Sequence, residues 1–241
     1  LHGHTFDRRM WTLISAALVE RGWRVLTPDL RGHGHSLRTD SGYLPANHAR
    51  DMEAVLDAAG VSRAVVVGFS LGGAVALEMA VARPGRVERL VLASPVMPDR
   101  PLEAEFMDNL RQVARTARGE GVTAAMLGPW MESPLFEASW EREGVRERVE
   151  AMVRDFPGAE YLATERDRPE REWALPDRLG EITCHTRVLV GEREMAGFRA
   201  FADEAAAGIP TAELKVVAGA GHLIPLENPD EVLAAIIATR P

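Results

Sequence analysis

Short apolar runs alternate with amphipathic stretches along this chain. Residues 24–28, 63–68, 89–93, 187–191 and 213–218 are the strand-like runs, rich in valine and leucine. Strands whose two faces are both apolar belong to a parallel sheet covered by helices on each side. Between the runs the period changes. Trp11, Ile14 and Leu18 fall on one helical face, and Gly22 follows as a stop. Met52, Val55, Leu56 and Ala59 form a second stripe, stopped by Gly60. Near the end, Asn228-Pro229-Asp230-Glu231 is a helix start: Asn228 is set to cap, Pro229 to fill the first turn and Glu231 to reach back. Leu233, Ile236 and Ile237 then face inward. Alternating strands and helices predict an α/β fold with a mostly parallel sheet.

One stretch breaks the alternation. From about residue 95 to about residue 179 no convincing strand is present. Helix-like segments cover residues 103–118 and 143–155, amid scattered Phe, Met and Trp residues. A structureless loop of that length is improbable in a compact domain. The expected organisation is therefore one core, residues 1–95 and 180–241, with residues 96–179 inserted as a helical cap.

Composition adds exclusions more than identities. The chain has 241 residues and a formal net charge of −8, which disfavours a nucleic-acid surface. Cys184 is the single cysteine, so no internal disulfide can form, which fits a reducing compartment. No apolar run approaches the roughly 20 residues needed to span a bilayer. The first residues do not read as a secretory signal. A cytoplasmic protein that engages neither nucleic acid nor membrane is expected, with its oligomeric state open. Lys215 is the only lysine, a bias that a GC-rich genome would produce.

The sequence concentrates its chemistry in two places. Gly68-Phe69-Ser70-Leu71-Gly72 joins a strand-like run to a small-residue helical stretch. This is a G-x-S-x-G elbow in its strand–turn–helix setting. The turn exposes the serine hydroxyl, the glycines allow close backbone approach, and the following helix aims free amides at the site. Ser70 is thus a candidate nucleophile and the Leu71 N–H a candidate oxyanion donor. Gly219-Ala220-Gly221-His222 follows the last strand-like run, which brings His222 to the same sheet edge as Ser70. A neutral imidazole there can act as general base. A third group should orient it. Glu194, after the run 187–191, is the leading candidate, with Glu192 second and Asp99 a distant third.

Taken together, these pieces resemble the α/β-hydrolase superfamily, and in particular its small carboxylesterase and enol-lactone hydrolase branch. The resemblance rests on Leu1-His2-Gly3, on Asp29-Leu30-Arg31-Gly32-His33-Gly34-His35-Ser36, on the elbow, on Val188-Leu189-Val190-Gly191-Glu192 and on Gly219-Ala220-Gly221-His222. It implies a serine esterase of the carboxylic ester hydrolase type, without a cofactor, acting on a small ester or lactone through an acyl-enzyme. It implies a second oxyanion donor from the first loop, the backbone of His4, with Thr5 as alternative. Phe69, Met97, Trp130, Met131 and Trp140 are candidates for an apolar substrate pocket. Arg100, Arg111, Arg115 and Arg118 could recognise a carboxylate or simply face solvent.

Three departures from the family stand out. Glu194 replaces the usual aspartate. His185-Thr186 replaces a frequent Pro-Thr. The strands that ordinarily precede the His-Gly loop have no counterpart ahead of Leu1, so the expectation is a fragment or a natural gene product that starts earlier; a chain that truly began here would be poorly stable. Three other functions compete with ester hydrolysis: C–C bond hydrolysis, cofactor-free perhydrolysis on the same residues, and ligand binding without turnover. The pairs His2/His4 and His33/His35 also raise a metallohydrolase. That reading is weak, because no further ligand set of suitable spacing accompanies them, and no metal is expected.

Overall fold

A computed structural model describes residues 1–98, 100–165 and 174–238. Four parallel strands form a sheet in the order β1 (Ala64–Phe69), β2 (Val87–Ala93), β3 (His185–Gly191) and β4 (Ala212–Val217). Their central residues are fully buried: Leu90, Val91 and Leu92 of β2, and Val188 and Val190 of β3. Apolar burial on both faces of these strands requires helices on each side, as the continuous valine and leucine runs predict.

Two helices precede the sheet, α1 (Thr12–Glu20) and α2 (Pro45–Ala58). Ile14 and Leu18 of α1, and Met52 and Leu56 of α2, are buried as their spacing requires. Helix α3 (Leu71–Ala82) joins β1 to β2 and is buried along ten consecutive residues, Gly72–Val81. Between β2 and β3 the described residues contain helices and turns and no strand. They include α4 (Ala104–Gly119), α5 (Val122–Ala125), α6 (Val145–Arg154) and α7 (Ala159–Leu162). Helix α8 (Ala196–Gly208) links β3 to β4, and α9 (Ile224–Glu227) and α10 (Pro229–Ile237) end the chain.

Two local expectations need correction. Residues 24–28 are not a strand. A cavity of about 640 Å³ separates them from β1, lined by Leu1, Val25, Leu26, Val65 and Val66 among others. An extended segment with no neighbour at ladder distance forms no ladder. The first residue does reach β1: its amino group donates to the Val67 carbonyl and its carbonyl accepts from Phe69 N–H. At the start of α10 the boundary is as expected, but Asn228 makes no side-chain cap and its Oδ1 is unpartnered. Glu231 does not reach back; its carboxylate pairs with Lys215 Nζ.

Candidate active site

The turn between β1 and α3 is shaped by backbone constraints. Ser70 sits at φ 51°, ψ −116°, a conformation L-residues rarely adopt and which costs on the order of 1–3 kcal/mol. Close approach forces it. A β-carbon on Gly68 would stand 2.2 Å from the Gly72 carbonyl oxygen, so only glycine lets the chain double back here. The turn is tied to its neighbours by backbone bonds. Ser70 N–H donates to Ala93 O at 3.1 Å, and Ser70 O accepts from Gly73 N–H at 2.8 Å and from Val96 N–H at 3.1 Å. Leu71 opens α3, where helix amides lack intrahelical acceptors and attract negative charge.

The first loop lies directly against this turn. A β-carbon on Gly3 would be 2.7 Å from the Phe69 ring and 3.3 Å from Ser70 Cβ. His4 therefore follows a residue in contact with the serine. Its side chain turns toward the segment between β2 and β3, with Nδ1 2.8 Å from Glu160 Oε1 and Nε2 2.7 Å from the Tyr161 hydroxyl. Burial pushes the Glu160 carboxyl up, but the charge and hydrogen bond of His4, with His33 and His48 beyond, outweigh it and bring it to about 2. Burial, followed by the Glu160 charge, raises the Tyr161 phenol. Thr5, at φ 66°, is buried with no partner for its hydroxyl.

His222 comes from the loop between β4 and α9. Its Nδ1 lies 2.9 Å from Glu194 Oε2, with both side chains 1% exposed. The other Glu194 oxygen accepts from Met195 N–H at 3.0 Å. The imidazole is packed between Phe69 and Phe198, at ring-centroid distances of 5.0 and 4.4 Å. Phe69 immediately precedes Ser70, so the ring rests on the elbow. His222 Nε2 is buried and makes no hydrogen bond, so the bond to Ser70 is not closed. Such bonds are commonly long before substrate binds. Glu192 is exposed and accepts from Gly219 N–H at 2.8 Å, away from the imidazole. Asp99 lies outside the described residues.

The other candidates divide. Phe69 touches His222, and Trp130 meets the His4 ring at 5.5 Å. Met97 and Met131 are buried. Trp140 packs on Phe136 beneath the Arg146 guanidinium, and its Nε1–H donates to Met131 O. Arg100, Arg111, Arg115 and Arg118 are exposed. The first two pair with Glu204 and Asp108, and Arg118 donates to Tyr161 O. These arginines are surface groups.

One histidine of each pair is tied to the backbone: His2 Nε2 accepts from Leu30 N–H, and His33 Nδ1 lies 3.0 Å from Arg31 O. Among the described residues, no group of three or more His, Cys, Asp or Glu side chains is arranged to hold a metal ion. None of the described helices is long and apolar enough to cross a membrane.

Three residues at the site went unread in the sequence. Phe198 packs edge-on against the His222 ring, and nothing in the pattern of α8 distinguishes it from ordinary core. Glu227 binds the His222 loop, and Ser139 binds Glu227. Glu227 did leave a signal: it is an acid ending the apolar run Leu223-Ile224-Pro225-Leu226.

An elbow serine, a neighbouring histidine–carboxylate pair and a parallel sheet are joined by agreement over nearly the full length. Residues 1–235 match the model of the alpha/beta hydrolase family. The chain belongs to that family. RutD of Variovorax paradoxus (strain S110), provisionally named a carbamate hydrolase, is 32% identical over 182 residues, 74% of this alpha/beta hydrolase. The match spans 66% of RutD, just under two thirds of its length. Among solved structures, a thermophilic esterase from Thermogutta terrifontis superposes with a TM-score of 0.81 at 30% identity, covering 98% of this chain and 86% of that one. Est816, described as an N-acyl homoserine lactone degrading enzyme, superposes with a TM-score of 0.78 at 28% identity, covering 99% and 90%. Family and relatives make this alpha/beta hydrolase a hydrolytic enzyme in the esterase branch.

Proposed function

We propose that this alpha/beta hydrolase is a serine hydrolase that cleaves a small carboxylic ester or lactone through an acyl-enzyme. The observation that carries this reading is the buried Glu194–His222 pair at 2.9 Å, resting on the residue that precedes the strained Ser70. In that arrangement Glu194 accepts the Nδ1 proton, which leaves Nε2 as the basic nitrogen. Nε2 has no other partner to compete for its lone pair.

His222 takes the Ser70 proton as Oγ attacks the acyl carbonyl. The Leu71 and His4 amides receive the charge on the carbonyl oxygen. His222 returns the proton to the leaving alkoxide, and a water activated by the same imidazole then releases the acid. Esters and lactones share this acyl carbonyl, and the two solved relatives are described as an esterase and a lactone-degrading enzyme. The described residues between β2 and β3 serve as a cap over the site, with Trp130 and Phe69 on its apolar side.

The deciding variant is Ser70→Ala, assayed on a p-nitrophenyl acetate-like ester and on a short lactone. Turnover should fall by about 10⁴-fold or more. A fluorophosphonate should label the native chain at Ser70 and leave the variant unlabelled. Wild-type turnover by Ser70→Ala would end this reading.

A further inference from the structure

The loop that carries His222 is gripped by a carboxylate with no part in the chemistry above. Glu227 stands at the end of α9 and is half-buried. Its Oε2 accepts from Gly221 N–H at 2.7 Å, and its Oε1 accepts from Leu223 N–H at 2.8 Å. These are the amides on either side of His222. Oε1 also accepts from the Ser139 hydroxyl at 2.6 Å. Ser139 is fully buried and belongs to the segment between β2 and β3.

Two more contacts join the same turn to the same loops. Glu141 pairs with Arg193, the residue before Glu194, and the Arg142 guanidinium donates to Gly219 O at 3.1 Å.

The physical consequence is specific. A histidine side chain is aimed by its backbone and two torsions. Glu194, Phe69 and Phe198 constrain the torsions. Glu227 constrains the backbone, because one rigid carboxylate accepts from both flanking amides and holds them at a set separation. Hydrogen bonds to a charged acceptor are roughly twice as strong as neutral ones. We propose that Glu227 is a positioning residue for His222, and that through Ser139 it makes seating of the cap part of the alignment of the base. This rests on the acyl-transfer reading.

The chemistry of the side chain supplies the test. Glutamine keeps the size of Glu227 but presents only one oxygen. Whichever way it turns, its NH₂ group faces one of the two amide donors, so one grip is lost. Aspartate keeps both acceptors on a shorter arm. Glu227→Gln should lower kcat about 10–100-fold with KM little changed, as a displacement of the base near 1 Å would do. The rate constant for phosphonylation of Ser70 by a fluorophosphonate, per folded molecule, should fall in parallel. Glu227→Asp should recover part of both. Ser139→Ala should give a smaller fall, about 3–10-fold, in the same two quantities.

Thermal unfolding and the final labelled fraction count folded sites, so a merely structural role would lower that fraction and leave the rate per site unchanged. That result, or wild-type kcat in a folded Glu227→Gln, overturns the proposal. Should Glu227→Gln not fold, Glu227→Asp and Ser139→Ala decide it: wild-type rates per site in both overturn it. Ser70→Ala in the same assay separates the two levels. If it is inactive while Glu227→Gln is unimpaired, only the role of Glu227 falls. If Ser70→Ala is active, the acyl-transfer reading itself fails.

Discussion

The elbow and the base loop bring their residues together at one sheet edge by different physics. Ser70 is held by the main chain: a tight turn, glycines with no room for a β-carbon, and backbone bonds to Ala93, Gly73 and Val96. His222 is held by side chains: Glu194 on its ring, Glu227 on its flanking amides, and Glu192 on Gly219. The first device is local and intolerant of size. The second is assembled from carboxylates on two separate elements, Glu192 and Glu194 after β3 and Glu227 in α9, and where they touch His222 or its flanking amides it is intolerant of lost charge or lost acceptors. A mutation that harms one should therefore leave the other standing.

The sharpest way to break this contrast is within the base loop. Glu194→Gln keeps the shape of the side chain but leaves one oxygen for two donors, Met195 N–H and His222 Nδ1–H; with that oxygen on Met195 its NH₂ faces Nδ1 and imposes the wrong tautomer, so kcat should fall about 10³–10⁴-fold while folding persists. Glu192→Gln, only two residues away, keeps an oxygen for its one exposed bond from the Gly219 amide and should stay within about threefold of wild type. Steady-state kinetics on one ester compares them directly. Equal losses in the two variants would mean that proximity to the loop, rather than contact with His222, decides the effect.

The elbow should fail differently. Gly68→Ala puts a methyl group where 2.2 Å separates it from a backbone oxygen, so the turn must open. A stability loss of about 3 kcal/mol is expected in urea unfolding, with activity lost because Ser70 moves. A Gly68→Ala protein of native stability would show that the turn has slack, and the contrast with the base loop would dissolve.

This difference also explains what could be read from the residues alone. The elbow was legible because its constraint is written in consecutive positions, glycine to glycine. Four strands and the two longest helices between β2 and β3, α4 and α6, were legible because periodicity is local. His222 and Glu194 could be named because each follows a strand-like run, and chain order carries such residues to one edge. Phe198, Ser139 and Glu227 escaped because their roles depend on contacts between distant elements. Residues 24–28 misled for a related reason. A strand needs a neighbour, and apolar pattern in a single segment says nothing of whether one is present.

A smaller effect concerns the side of the molecule behind the elbow. His48, in α2, is fully buried with neither ring nitrogen bonded, near His33, which in turn packs against His2. Burial, followed by the charge of His33, lowers His48 from its ordinary 6.5 to about 4, although Glu160 and Asp51 pull the other way and Arg31 adds to the depression. The unfolded chain thus takes up a proton near pH 6.5 that the folded chain refuses until about pH 4. The stability from this group is whole above pH 6.5, erodes as the pH falls from there, and erodes no further below about 4. At pH 4.5 the deficit should be about 2–3 kcal/mol. His48→Leu removes the proton acceptor and fills a comparable space, so the drop in unfolding free energy between pH 7.5 and 4.5 should shrink by about that amount. His2 and His33, both also lowered first by burial, should keep the remainder of the acid loss on this same side. If His48→Leu leaves the slope between those two pH values unchanged, the acid sensitivity arises elsewhere.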